Sequence, residues 1–202
     1  MSRRLPPLRT IAAAVVALGL TAGITGCTPD PRAEEYRAGT NSGFVSGDGQ
    51  ILEIAEDNRG EPIDFEGVLD TGETVTDEDY AGQVLVVNFW YAECGPCRVE
   101  APILQEVYEE FDGEGATFLG VNTSNSAASS LAFAETFGIT YPSALATVDS
   151  GIKQAFAGEA PLSATPVTLV LDTEGRVAAR IVGPVVEASI LRSIVADLLE
   201  EA

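Results

Sequence analysis

Two cysteines, Cys94 and Cys97, stand with two residues between them where an unbroken apolar run gives way to a helical pattern. That placement gives the Cys94-Gly95-Pro96-Cys97 string its meaning. The first N–H groups of a helix lack intrahelical partners and the macrodipole is positive there, so an anion is favoured. A cysteine at such a position has a depressed pKa, and the thiolate is the reactive form. With this spacing the two sulfurs can close a small disulfide across the first turn. The chemistry implied is thiol–disulfide exchange. Cys94, exposed at the tip, attacks a substrate disulfide, and Cys97, shielded one turn in, resolves the mixed disulfide. Pro96 suits the first helical turn because it has no N–H to satisfy. A structural disulfide usually closes a longer loop to gain stability. A zinc site needs two more ligands, and the chain has no histidine and only one further cysteine. No metal site and no cofactor are expected.

The absence of histidine removes His-dependent triads and haem ligation through His. Proton transfer near neutral pH must then use a carboxyl, a thiol or water. Glu100 lies three residues after Cys97, one helical turn on, and so can reach beneath the pair. A partly buried carboxyl of raised pKa can accept and return the proton of Cys97. The formal charge is −20 and the isoelectric point is about 4.1. So acidic a chain repels phosphate backbones, which argues against nucleic acid as a partner.

The elements that must position these residues are legible downstream of residue 60. The segments 64–69 and 74–76 flank the turn Asp70-Thr71-Gly72-Glu73, a hairpin signal, and residues 77–80 read as one helical turn. The run 83–90, Gln-Val-Leu-Val-Val-Asn-Phe-Trp, is apolar enough for a strand buried on both faces. Residues 99–111 have helical spacing, 116–121 form a second buried strand, and 127–137 repeat the helical pattern with Gly138 as its stop. A short helix at 150–156 precedes strands at 167–171 and 176–182, joined by Asp172-Thr173-Glu174-Gly175, and an amphipathic helix at 186–199 closes the chain. This order predicts an α/β fold with a central mixed sheet and helices on both faces.

The first 26 residues read as an address. Arg3, Arg4 and Arg9 precede an uncharged apolar run at 11–24, shorter than the ~20 residues a spanning helix needs, which is the pattern of an export signal. Ile24-Thr25-Gly26-Cys27 resembles the bacterial lipoprotein signal. The resemblance implies a diacylglyceryl thioether on Cys27, which becomes the first mature residue, a lipid anchor, and a place at the extracytoplasmic face of the cell membrane. Removing residues 1–26 takes three arginines with it, so the remainder carries 8 basic against 31 acidic residues, a formal −23. Residues 27–60, without sustained periodicity, read as a flexible tether with some local order near 50–58, and 61–202 as the folded domain.

The stretch Val84–Cys97 resembles the active-site strand and helix start of thioredoxins, and more narrowly the TlpA/ResA-like exported thiol–disulfide oxidoreductases. Glu100 sits where reductases of that group carry a glutamate. Pro166, in Ala164-Thr165-Pro166-Val167, falls where the fold has a cis-proline beside the cysteine pair, and the segment 65–80 resembles the group's added N-terminal β-hairpin. The resemblance implies a thioredoxin-like fold and a redox-active disulfide between Cys94 and Cys97. It also implies substrate contacts at Thr165 and Pro166, where an extended substrate could pair with the Thr165 backbone. Trp90 is placed among the substrate contacts too, although its apolar surroundings read more readily as packing. The implied partners are cysteine-containing exported proteins, apocytochrome c among them, and a membrane thiol carrier that supplies electrons. An exported oxidant or isomerase on the same scaffold is the alternative. A peroxidase on this fold has a Thr three residues before its reactive cysteine, where this chain has Tyr91. Asn88 replaces the buried Asp of thioredoxins, and Glu93 replaces a frequent Trp. An acid beside Cys94 works against the helix dipole and is expected to raise the cost of the thiolate.

Overall fold

The strand Val84–Trp90 has seven consecutive uncharged residues, and every one of them is buried. Burial on both faces requires a layer on each side. The computed structural model describes residues 51–161 and 163–202. In chain order its elements are β1 (Ile51–Glu53), a 3-10 turn (Glu56–Asn58), β2 (Glu66–Val68), β3 (Thr74–Thr76), a second 3-10 turn (Asp77–Tyr80) and β4 (Val84–Trp90). There follow α1 (Gly95–Phe111), β5 (Ala116–Asn122), α2 (Ala127–Phe137), β6 (Ser143–Leu145), α3 (Gly151–Ala155), β7 (Val167–Leu171), β8 (Val177–Val182) and α4 (Ala188–Glu201).

The main sheet has the order β1-β8-β7-β4-β5-β6, and β2 with β3 forms a separate hairpin. β4 lies near the middle, parallel to β5 and antiparallel to β7, so the sheet is mixed. Side chains alternate across a strand. Leu85, Val87 and Phe89 join Phe65, Ile152 and Phe156 on the face covered by the hairpin and α3. Val84 and Val86 join Leu104, Val107, Leu191 and Val195 on the face covered by α1 and α4. The expected thioredoxin-like arrangement, with helices on both faces and the added hairpin, is what the structure has.

Local signals explain most boundaries. Ser126 caps α2 by accepting the Ser129 N–H, and Gly138 ends that helix with φ 70°, the left-handed conformation glycine adopts at little cost. α1 begins four residues before the first apolar position of its pattern because Cys94 supplies the cap, and it runs on through Pro102. The loss of one hydrogen bond there is offset by burial of Leu104 and Val107.

Two strands lie outside the sequence expectations. β6 spans three residues, and its edge is met by the hairpin through the Leu69–Ala144 bridge. β1 falls within the stretch assigned to the tether, where only some local order near 50–58 is expected, and Ile51–Glu53 pairs antiparallel with β8. Three-residue edge strands carry too little periodicity to read, and their partners create them. The folded region therefore starts about ten residues earlier than the expected boundary at 61; the expected signal, Cys27 and the tether up to residue 50 lie outside the described residues.

Arg59 locks this extra segment in place. Its side chain is only 4% exposed, and it pairs with Asp172 at 3.1 Å and Glu201 at 2.7 Å, while its Nε donates to the Ile54 carbonyl at 3.1 Å. It thus joins the exit of β1 to the β7–β8 turn and the end of α4. Arg59→Ala is expected to lower stability at neutral pH by about 2 kcal/mol, the scale of lost hydrogen bonds to charged groups. Urea denaturation measures it, and an unchanged midpoint would mean that residues 51–60 are not integral to the domain.

Candidate active site

The parallel pair β4 and β5 brings two loops together at one end of the sheet, where open α/β sheets place their sites. The loop after β4 turns directly into α1. Cys94 is the N-cap residue, and its Sγ accepts the Cys97 N–H at 3.1 Å. This bond points a helix-terminal donor at the sulfur that would carry negative charge. Cys94 and Cys97 form a disulfide with a Cα–Cα separation of 5.2 Å.

Cys94 is less accessible than its expected place at an exposed tip. In the disulfide form it is 3% exposed and Cys97 is 1% exposed. The reason is packing. The two sulfurs share a cluster with Trp90, Ala101 and Phe133, and Cys94 Sγ lies 3.9 Å from the Thr165 carbonyl oxygen. Glu93, Gly95 and Pro96 form the exposed rim around them.

Glu100, one helical turn after Cys97 on α1, is 1% exposed. One carboxylate oxygen accepts from Asn88 Nδ2 at 2.9 Å and the other from the Val185 N–H at 2.9 Å. Asn88 also donates to Thr168 Oγ1 at 3.1 Å, so both of its amide hydrogens are used. Burial pushes the Glu100 carboxyl up to about 7, against the lowering effect of these two donors. Asn88 thus orients the titrating group rather than titrating itself.

The Thr165–Pro166 peptide bond is cis, as the resemblance implied, and Pro166 packs at the start of β7 with its carbonyl accepting the Gly183 N–H at 2.9 Å. Trp90, placed from sequence among the substrate contacts, is 5% exposed. Its ring stacks on Phe133 with centroids 4.3 Å apart. Gly120 makes room for it, since a Cβ there would come within 2.9 Å of Trp90 Nε1. The ring acts as the wall behind the cysteines.

Three partners of the site escaped sequence reasoning: the Val185 N–H, Asn122 and Asn125. Asn125 Nδ2 donates to Glu93 Oε2 at 2.8 Å, and its Oδ1 accepts the Ala92 N–H at 2.7 Å. Asn122 Nδ2 donates to Asn125 Oδ1 at 3.2 Å, and Asn122 Oδ1 accepts the Asn125 N–H at 2.7 Å. The bond from Asn125 holds the Glu93 carboxyl below its usual range. A usable signal was present, because Asn122-Thr-Ser-Asn125 follows the buried strand parallel to β4, and loops at the C-terminal ends of adjacent parallel strands meet.

The AhpC/TSA family model matches residues 60–180. The chain belongs to the AhpC/TSA family. This AhpC/TSA-family chain is 33% identical over 116 residues to the thiol-disulfide oxidoreductase ResA of Geobacillus kaustophilus, covering 57% of this chain and 64% of that protein. It therefore spans just under two thirds of the length of the curated relatives it matches. Among solved structures it is similar to a DsbF homologue from Corynebacterium diphtheriae, with TM-score 0.64, 29% identity, and coverage of 77% of this chain and 98% of the other. A secreted thiol-disulfide isomerase from Corynebacterium glutamicum gives TM-score 0.67, 26% identity, and coverage of 79% and 97%. These findings agree with the TlpA/ResA-like resemblance. No helix among the described residues is long and apolar enough to cross a membrane.

Glu100 makes stability depend on pH. Its folded value, about 7, lies above the ordinary 4.5, so between those values the folded state holds a proton that the unfolded chain has released. That contribution is fully present below about pH 4.5 and lost as pH rises through 7, by about 3 kcal/mol in all. In Glu100→Gln this decline is expected to vanish. Urea denaturation of the oxidised protein at pH 4.5 and pH 8, as conditions either side of that window, compares the two, and parallel profiles would contradict the assignment.

Proposed function

We propose that this chain is an exported thiol–disulfide oxidoreductase that reduces disulfides in extracytoplasmic proteins through Cys94 and Cys97. The observation that carries the reading is the Cys94 cap on α1, its sulfur facing the Cys97 N–H, with the buried carboxyl of Glu100 one turn further along the same helix. In the reduced protein the Cys94 thiolate attacks a substrate disulfide, forming a mixed disulfide and releasing one substrate thiolate, which takes a proton. Cys97 passes its proton to the Glu100 carboxylate and attacks Cys94 Sγ. The second substrate thiol leaves, carrying the proton that Glu100 returns, and Cys94–Cys97 is left oxidised. Two electrons have passed to the substrate, and a dithiol carrier in the membrane restores the pair. Thr165 and Pro166 border the approach to Cys94. The clients are exported proteins with paired cysteines, with apocytochrome c, whose haem-attachment cysteines must be reduced before ligation, as the leading case.

The likeness to the secreted isomerase of Corynebacterium glutamicum over nearly its whole length favours a second reading, in which the same pair oxidises or reshuffles disulfides. The reduction potential separates the two. A value near the ~−270 mV of thioredoxin is expected for the reductase, and one near about −120 mV would exclude it. Trapping with Cys97→Ala in cells holds the natural partner on Cys94 as a mixed disulfide and identifies it.

Cys27 is proposed to bear the lipid that keeps the domain at the outer face of the cytoplasmic membrane; each buried methylene adds ~0.8 kcal/mol, and more than one acyl chain makes attachment stable. Cys27→Ala is expected to move the protein from the membrane fraction to the soluble fraction. Equal fractionation of the two forms would reject the anchor.

A further inference from the structure

Glu93 is the one charged side chain directly preceding the attacking cysteine, and it is exposed where both sulfurs are buried. Its carboxylate is open to an incoming polypeptide, whereas Cys94 is buried. Exposed glutamates ordinarily sample many rotamers, but this one is held. Asn125 Nδ2 binds Oε2 at 2.8 Å, and Asn125 is itself fixed by the Ala92 N–H and by Asn122, which is fully buried. The orientation of a surface charge is therefore set by a chain of hydrogen bonds rooted in the core at the end of β5.

That charge is only partly offset within the chain, by the attraction of Arg98. Among the described residues Glu93 enters no ion pair. The nearby cation, Arg98, uses its Nε to bind the Ala92 carbonyl at 2.7 Å. A fixed carboxylate next to the attacking sulfur opposes formation of the Cys94 thiolate, and also opposes the spread of negative charge over the three sulfurs during exchange. A positive charge brought by the substrate offsets both effects.

We propose that Glu93 determines substrate specificity, favouring disulfides whose half-cystine is flanked by Lys or Arg and disfavouring those flanked by Asp or Glu. The inference rests on the thiol–disulfide exchange proposed above. Asn125 is the positioning residue that aims the carboxylate.

The test uses the full chain and three disulfide-bonded peptides identical except for Arg, Gln or Glu beside the half-cystine, with kcat/KM as the readout. A charge pair about 6 Å apart in a water-like dielectric predicts a preference for Arg over Gln of ~threefold at low salt. The preference is expected to collapse between about 10 mM and about 1 M salt, as the Debye length falls to ~3 Å. Glu93→Gln should level the three peptides, Glu93→Lys should invert their order, and Asn125→Ala should reduce the preference without inverting it. Equal rates for Arg and Gln peptides in the wild type, or a preference that survives Glu93→Gln, would overturn the inference and leave the proposed function standing. No exchange with any of the peptides would overturn the function and the inference together.

Discussion

A strand buried on both faces must hand its last backbone groups to partners as soon as it leaves the sheet, because an unpaired buried carbonyl or amide costs as much as a lost hydrogen bond. At the end of β4 the Trp90 carbonyl accepts from the Thr123 N–H at 2.9 Å, and the Cys94 N–H finds the Tyr91 carbonyl at 3.2 Å. The chain is thus turned within three residues into the first turn of α1, whose own unpaired N–H groups then need an acceptor. Cys94 Sγ is that acceptor. The position of the sulfur follows from closing the backbone account at a junction between a buried strand and a packed helix. The thiolate gains its stabilising donor from the same bond.

The second requirement is a place for a proton. Thr168, Asn88, Glu100 and the Val185 N–H form one line of hydrogen bonds from β7 across β4 to α1 and the loop before α4. Each buried polar atom in this line is paired, which is what makes such a line tolerable in a core. Its net effect is to keep one carboxyl near neutrality in its titration at physiological pH, by burial, while two donors hold its geometry. An amide at position 88 serves this better than a second acid would, since two adjacent buried carboxyls would compete for one proton. Tyr141, also buried, is pushed up in pKa chiefly by its burial, with the nearby Glu100 charge adding to it, so Glu100 carries the titration.

Charge divides the molecule differently from packing. Inside, Arg59 and Arg176 are committed to Asp172 at the end of the sheet away from the cysteines. At the cysteine end the exposed carboxylate of Glu93 forms no ion pair, and Arg98 acts on it only through space. Acids beside a redox cysteine are a cost in isolation, and the Asn122–Asn125 network keeps this one ionised and aimed. In an acidic domain, an oriented charge beside the reacting atoms discriminates among partners, whereas scattered surface acids mainly confer solubility.

The amino-acid sequence by itself determined the elements with strong local signatures. The apolar run of β4, the helical spacing of α1 and α2, the Gly138 stop and the Cys-x-x-Cys placement were all legible because each depends on residues close in the chain. Glu100 was legible for the same reason, lying one turn from Cys97. Tertiary structure alone decided the rest. β1 and β6 exist because β8 and β5 offer them edges, and three residues cannot announce that in sequence. The burial of Cys94 depends on Thr165, some seventy residues away, and on Phe133 behind Trp90. Glu93 shows the division most plainly. Sequence revealed an acid beside Cys94, the proposed attacking residue, and its electrostatic cost. Whether that acid would be a wandering surface charge or a fixed one depended on Asn125 of a different loop, brought there by the parallel pairing of β4 with β5. Local patterns are written in neighbouring residues; long-range hydrogen bonds are written only in the sheet that brings their ends together.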